Sequence, residues 1–162
     1  FMPGFGFAAA AAALVGQGLG RGDAREAERN GWTAVGMGLV VMLALSLPMY
    51  ALAEPLARLF TREAEAVRLG VVWIHTLVFA MPAIAFHFTA AGALRGAGDT
   101  RFPLVVSFAG LWLVRLPVAW AAGVWWGWGM YGIWAGYVLE YYLRAIVTTA
   151  RYAKGGWKTL KV

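Results

Sequence analysis

The residues able to do chemistry in this sequence are few, and they sit inside long apolar runs. His75, His87, Arg115, Glu140 and Arg144 are the ionisable side chains placed there. An ionisable group within a membrane span is costly and is a functional hypothesis by default. Arg115 lies twelve residues before Gly127, and Glu140 lies thirteen after it. At ~1.5 Å per helical residue, both sit roughly 18–20 Å from that turn, so a helical hairpin brings them to one depth, where they can pair. Three readings follow for that pair: a structural link holding the hairpin, a protonatable carboxylate used in ion coupling, or contact with lipid or an interface. Glu140 also has Arg144 one turn later, in the favourable i,i+4 order. His75 and His87 are twelve residues apart, roughly 120° around a helix, which rules out a close metal pair. Packing is the first reading for each histidine. Lining a polar cavity is the second, for His87 with its neighbour Thr89. Gln17, near the end of the first apolar run, reads as a hydrogen bond to an adjacent helix. No Ser-His-Asp arrangement, His cluster or carboxylate pair is present, so the expectation is a protein that is not an enzyme and holds no cofactor or metal. With no cysteine, disulfides and thiolate metal sites are excluded.

The elements that must position these groups are apolar helices. The 162 residues are 61% hydrophobic and 14% charged, well below the roughly 25% charged of a soluble domain. Five runs have the ~20 residues needed to cross a bilayer. They cover residues 1–19, 30–52, 69–93, 103–124 and 130–151, with Pro82 expected to kink the third and Pro117 inside the fourth. They are too long for strands and lack strict alternation, so the fold class is an all-α membrane protein with five transmembrane helices. The net charge of +6 sits in loops and tail, which points to membrane topology rather than to nucleic acid. Arg21, Arg25 and Arg29, then Arg95 and Arg101, then Arg144, Arg151, Lys154, Lys158 and Lys161 fall on one side. Only Arg58, Arg62 and Arg68 fall on the other. The richer side is expected to be cytoplasmic, with the C-terminus inside and Phe1 outside. Between the second and third spans, Leu56, Leu59 and Phe60 share a face that suits an interfacial helix. Asp23-Ala24-Arg25-Glu26 fits a capping box opening a short polar helix before Gly31. Trp125, Trp126, Trp128 and Tyr131 suit an aromatic belt, with the turn made by Gly127 and Gly129. Gly16/Gly20, Gly92/Gly96, Gly123/Gly127 and Gly132/Gly136 have GxxxG spacing, and Gly132/Gly136 is the best placed to pack helices.

One pattern occurs twice. Gly20-Arg21-Gly22-Asp23-Ala24-Arg25 and Gly96-Ala97-Gly98-Asp99-Thr100-Arg101 both read G-x-G-D-x-R. In the second, Gly96 and Gly98 can take positive φ, Asp99 or Thr100 can cap the next helix, and Pro103 suits its first turn. Leu14-Val15-Gly16-Gln17 with Gly20-x-Gly22-Asp23, followed by Leu94-Arg95-Gly96-x-Gly98-Asp99-Thr100, resembles the carboxy-terminal lobe of the multidrug and toxic compound extrusion (MATE) transporters. Pro3 with Gly4 and Gly6, Leu59-Phe60-Thr61, and the closing Arg151-Tyr152-x3-Gly156-Trp157-Lys158 also fit. The resemblance implies a partial MATE-type six-helix lobe, namely the last five helices of a twelve-helix transporter whose amino-terminal lobe is missing here. It implies efflux of organic cations and drugs in exchange for H⁺ or Na⁺, through a cavity shared by the two lobes in the cytoplasmic membrane. Gln17, His87, Thr89, Arg115 and Glu140 are then the cavity candidates, and the key coupling carboxylate is expected in the missing lobe. Two alternatives remain. One is a flippase of the same superfamily moving a lipid-linked oligosaccharide, against which Arg115 stands as the only strongly basic mid-span residue. The other is a non-transporting membrane scaffold subunit.

Overall fold

The structure is a computed structural model that describes residues 1–159, so Lys161 lies outside the described residues. Among the described residues there are six helices and no strand. They are α1 (Met2–Gly20), α2 (Ala24–Ala51), α3 (Ala53–Phe60), α4 (Ala64–Gly96), α5 (Arg101–Trp125) and α6 (Met130–Ala153), with a closing 3₁₀ turn, Gly156–Thr159. Helices α1, α2, α4 and α5 are each long and apolar enough to cross a membrane. Helix α6 has 24 residues, roughly 36 Å, and its apolar run is broken by Glu140, Arg144 and Arg151.

Several boundaries differ from those expected. The short polar helix before Gly31 is no separate element: α2 runs unbroken from Ala24. Asp23 Oδ1 caps it, accepting from the backbone N–H of Arg25 (3.0 Å) and Glu26 (2.8 Å). Glu26 does not reach back to that cap; it takes Arg21 at 2.7 Å instead. Helix α4 begins at Ala64, five residues before the expected start, and Glu65 and Arg68 pair across its first turn. Helix α3 turns Ala53 and Ala57 inward and leaves Leu59 and Phe60 exposed.

Helices α1, α2 and α4 pack on one another; α6 covers the other side of α4, and α5 rests almost wholly on α6. Close approach is set by glycines. A Cβ on Gly92 or Gly96 would collide with the Ala8 or Ala12 carbonyl of α1, and one on Gly132 would collide with the Ala122–Gly123 backbone of α5. Gly96 is therefore a contact glycine inside α4. The left-handed position of that turn is Gly98 alone, at φ 83°. The two G-x-G-D-x-R turns share one geometry. Gly22 has φ 76°, and the Asp23 and Asp99 amides donate to the carbonyls five residues back, Gly18 at 3.0 Å and Leu94 at 2.9 Å. This is the bonding of a glycine-terminated helix.

The two turns meet the closing segment at one end of the bundle. Tyr152 and Trp157, both fully buried, stack with ring centroids 4.9 Å apart and planes 2° apart. The Trp157 indole donates to the Tyr152 carbonyl at 2.8 Å. The Tyr152 hydroxyl reaches the carbonyls of Ala27 and Glu28 on α2, through space that a side chain at Gly31 would fill. Asp99 bonds Arg151 (3.0 Å) and Glu28 bonds Lys158 (2.6 Å). At the opposite end, Arg68 donates to the Tyr131 hydroxyl at 3.1 Å, tying the start of α4 to the start of α6. Trp125, Trp126 and Trp128 are exposed there.

Candidate functional site

Helix α6 carries Tyr137, Glu140, Tyr141, Arg144 and Thr148, which recur at three- and four-residue intervals and so fall along one side of a helix. Packing buries that side against α4 and α5. Glu140 is 0% exposed. Its carboxylate pairs with Arg144 one turn on, whose side chain is 13% exposed. Arg144 also donates through Nη2 to the Ser107 carbonyl of α5 at 2.7 Å, and its guanidinium lies 5.6 Å from the Tyr141 ring centre. Gly110 makes this possible: a Cβ there would lie 2.6 Å from Arg144 Nε and 3.2 Å from Glu140 Oε1. The helix departs from α geometry at this place. Gly110–Arg115 is a π-helical turn, and a second follows at Ala121–Trp125. Such turns often mark functional positions.

The pairing expected between Arg115 and Glu140 is not formed. Arg115 does reach α6 at this level, its carbonyl being 3.0 Å from where a Cβ on Gly136 would sit. Its guanidinium, however, stacks 4.7 Å above the Tyr137 ring, within the range of a cation–π contact. Among the described residues, Glu140 has Arg144 as its ion-pair partner. The reason is geometric: an i,i+4 neighbour on the same helix is closer than one across the hairpin, and the face of Tyr137 gives Arg115 a place to rest.

His87, 3% exposed, extends the same seam towards α4. His87 Nδ1 and Thr148 Oγ1 share a hydrogen bond of 3.1 Å, and the imidazole lies edge-on to Tyr141 at 6.4 Å. Thr89 is buried on another side, where its hydroxyl would lie 3.0 Å from a Cβ on Gly38 of α2. Gln17 is exposed on α1. The structure does not bring the five cavity candidates into contact with one another. Arg115, Glu140 and His87 belong to the α6 seam; Thr89 and Gln17 do not. His75, outside the seam, stacks on Tyr50 at 4.1 Å and bonds its carbonyl at 3.2 Å. Tyr137, Tyr141, Thr148, Ser107 and Gly110 went unread in the sequence. The first three were detectable as neighbours of Glu140 at helical spacing. The role of the Ser107 carbonyl has no sequence signal.

The seam can hold charge away from lipid and fix α5 to α6. A buried pair of this kind is strongly destabilising to break from one side. Removing the Glu140 carboxylate would leave two guanidinium groups, Arg115 and Arg144, against the same helix.

Residues 1–121 match the MatE family model. A probable multidrug resistance protein NorM of Thermotoga maritima is 28% identical over 161 residues, covering 98% of this chain and 34% of that protein. A protein of the same description from Bradyrhizobium diazoefficiens is 31% identical over 156 residues, covering 94% and 34%. Among solved structures, the MATE transporter ClbM in complex with Rb⁺ superposes with a TM-score of 0.81 at 19% identity, over 89% of this chain and 34% of that one. At that identity the likeness is one of fold. The chain spans about a third of the length of these relatives.

Proposed function

The chain belongs to the MatE family, and from that premise we propose that it forms part of a secondary active transporter exporting organic cations and drug-like compounds in exchange for H⁺ or Na⁺. The observation that carries this reading is the match of nearly the whole chain to one third of proteins described as multidrug resistance proteins. In this reading the chain supplies the last five helices of the carboxy-terminal lobe and one wall of a cavity completed by an amino-terminal lobe. Alternating access then comes from rocking of one lobe against the other.

The orientation proposed is C-terminus cytoplasmic. Both G-x-G-D-x-R turns and the closing segment lie at one end, with Arg21, Arg25, Arg95, Arg101, Lys154 and Lys158 around them. A concentration of basic residues of this kind supports a cytoplasmic face. Glu140 is read as a structural carboxylate rather than the coupling one, because Arg144 neutralises it and is itself tied to α5.

The test uses cells lacking their own exporters and the protein as its own gene encodes it. Expression should lower accumulation of a fluorescent organic cation, and collapsing the H⁺ or Na⁺ gradient should restore it. Glu140→Gln separates the two roles of the carboxylate. Lost efflux with unchanged thermal stability would make it the coupling group.

A further inference from the structure

A groove of about 760 Å³ runs between α4 and α6 on the side of α6 away from α5. Its apolar walls are Val72 and Phe79 of α4 with Trp134, Val138 and Leu139 of α6. On α6 the lining extends from Tyr131 to Tyr142, roughly 16 Å along the helix axis. Three of the polar groups in it are engaged within the chain. Thr76 donates to the Val72 carbonyl at 2.8 Å, Tyr142 to the Phe79 carbonyl at 3.0 Å, and His75 Nε2 meets the Tyr50 carbonyl at 3.2 Å. A polar ligand would find little to orient it, whereas a hydrocarbon chain needs only such walls.

The mouth is different. Tyr131 lines the groove and accepts from Arg68, which is also paired with Glu65 at 2.7 Å. Arg68 uses one N–H on each of its three nitrogens in these bonds. A guanidinium has five, so two remain. Glu65 and Arg68 thus present one negative and one positive charge side by side, at the end of the bundle where Trp125, Trp126 and Trp128 are exposed, as at a membrane interface. That pair is complementary to a headgroup carrying a phosphate and an ammonium, with the phosphate on Arg68.

We propose that the α4–α6 groove is a binding site for a zwitterionic phospholipid. One acyl chain lies between Val72 and Tyr142, and the headgroup is held by Glu65 and Arg68. The occupant fills the seam between two helices that are otherwise joined, along this edge, by the Arg68–Tyr131 and Tyr142–Phe79 bonds. The site does not depend on the transport reading.

Native mass spectrometry tests it on the purified product of the full gene, with phosphatidylethanolamine or phosphatidylglycerol added. The wild type should retain one phosphatidylethanolamine. Ala135→Trp and Val138→Trp, which fill the groove, should each weaken retention about tenfold, and Arg68→Gln about threefold. Val124→Trp, on the exposed face of α5, should leave retention unchanged, and a thermal melt identifies any variant that has not folded. The proposal is overturned if a folded groove-filling variant retains the lipid as the wild type does, or if phosphatidylglycerol is retained as tightly. It is overturned equally if a photo-crosslinker at position 135 joins another segment of protein.

Discussion

Glu140 is the residue on which the interior of this bundle turns. It is the one acidic side chain within the apolar spans, and it is fully buried. Arg144 lies one turn away as its ion-pair partner, and glycine at position 110 leaves room for the guanidinium. Breaking a buried pair by deleting one partner costs about 3–5 kcal/mol. Arg144→Leu and Glu140→Leu should therefore each lower the unfolding temperature in detergent, and the double change should recover much of the loss. Additive losses in that cycle would mean that the two side chains do not act as a unit. Arg115→Leu should cost less than either, since a cation–π contact such as that with Tyr137 is worth about 0.5–2 kcal/mol. Arg115→Leu costing as much as Arg144→Leu would reinstate the cross-hairpin pair.

At the scale of the helices, glycines decide which surfaces meet. Gly98 holds a positive φ that a β-branched residue does not tolerate, whereas Gly20 is helical with open space around it. Gly98→Val should therefore reduce the folded membrane yield sharply, and Gly20→Ala should leave it unchanged. Equal yields would contradict the strained turn. Gly92→Leu should release α1 from α4, seen as faster hydrogen exchange in α1, because the side chain would enter the Ala8 carbonyl. These elements show how far the sequence could be read. The apolar runs located the long helices, with ends that differ by up to six residues, and the repeated G-x-G-D pattern located both turns. The roles of individual glycines were less legible. Gly96 shares its spacing with turn glycines but acts in close packing, and only the position of α1 reveals this. The π-helical turns of α5 were invisible: the first begins just beyond Ser107, whose carbonyl takes the Arg144 side chain of another helix, and a contact between helices leaves no trace in local sequence. The choice of Arg144 over Arg115 was open for a related reason. Depth along a hairpin was calculable from residue counts, but the direction of each side chain was not.

At the scale of the whole molecule, the ends of the bundle carry the topology. The Tyr152–Trp157 stack joins α2, α6 and the closing segment, while Asp99 and Arg151 bring in the α4–α5 turn. The chain has no native cysteine, so single cysteines report cleanly. Thr100→Cys and Lys154→Cys should label from the cytoplasm, and Glu63→Cys from outside. Labelling of all three from one face would contradict the five-span arrangement. The central claim, that this chain belongs to a gradient-driven exporter, is tested most directly in vesicles. The full gene product, reconstituted into sealed proteoliposomes, should move a fluorescent organic cation against its gradient when an H⁺ or Na⁺ gradient of opposite direction is imposed, and should stop when that gradient is dissipated. Folded protein that moves no cation under either gradient would contradict it.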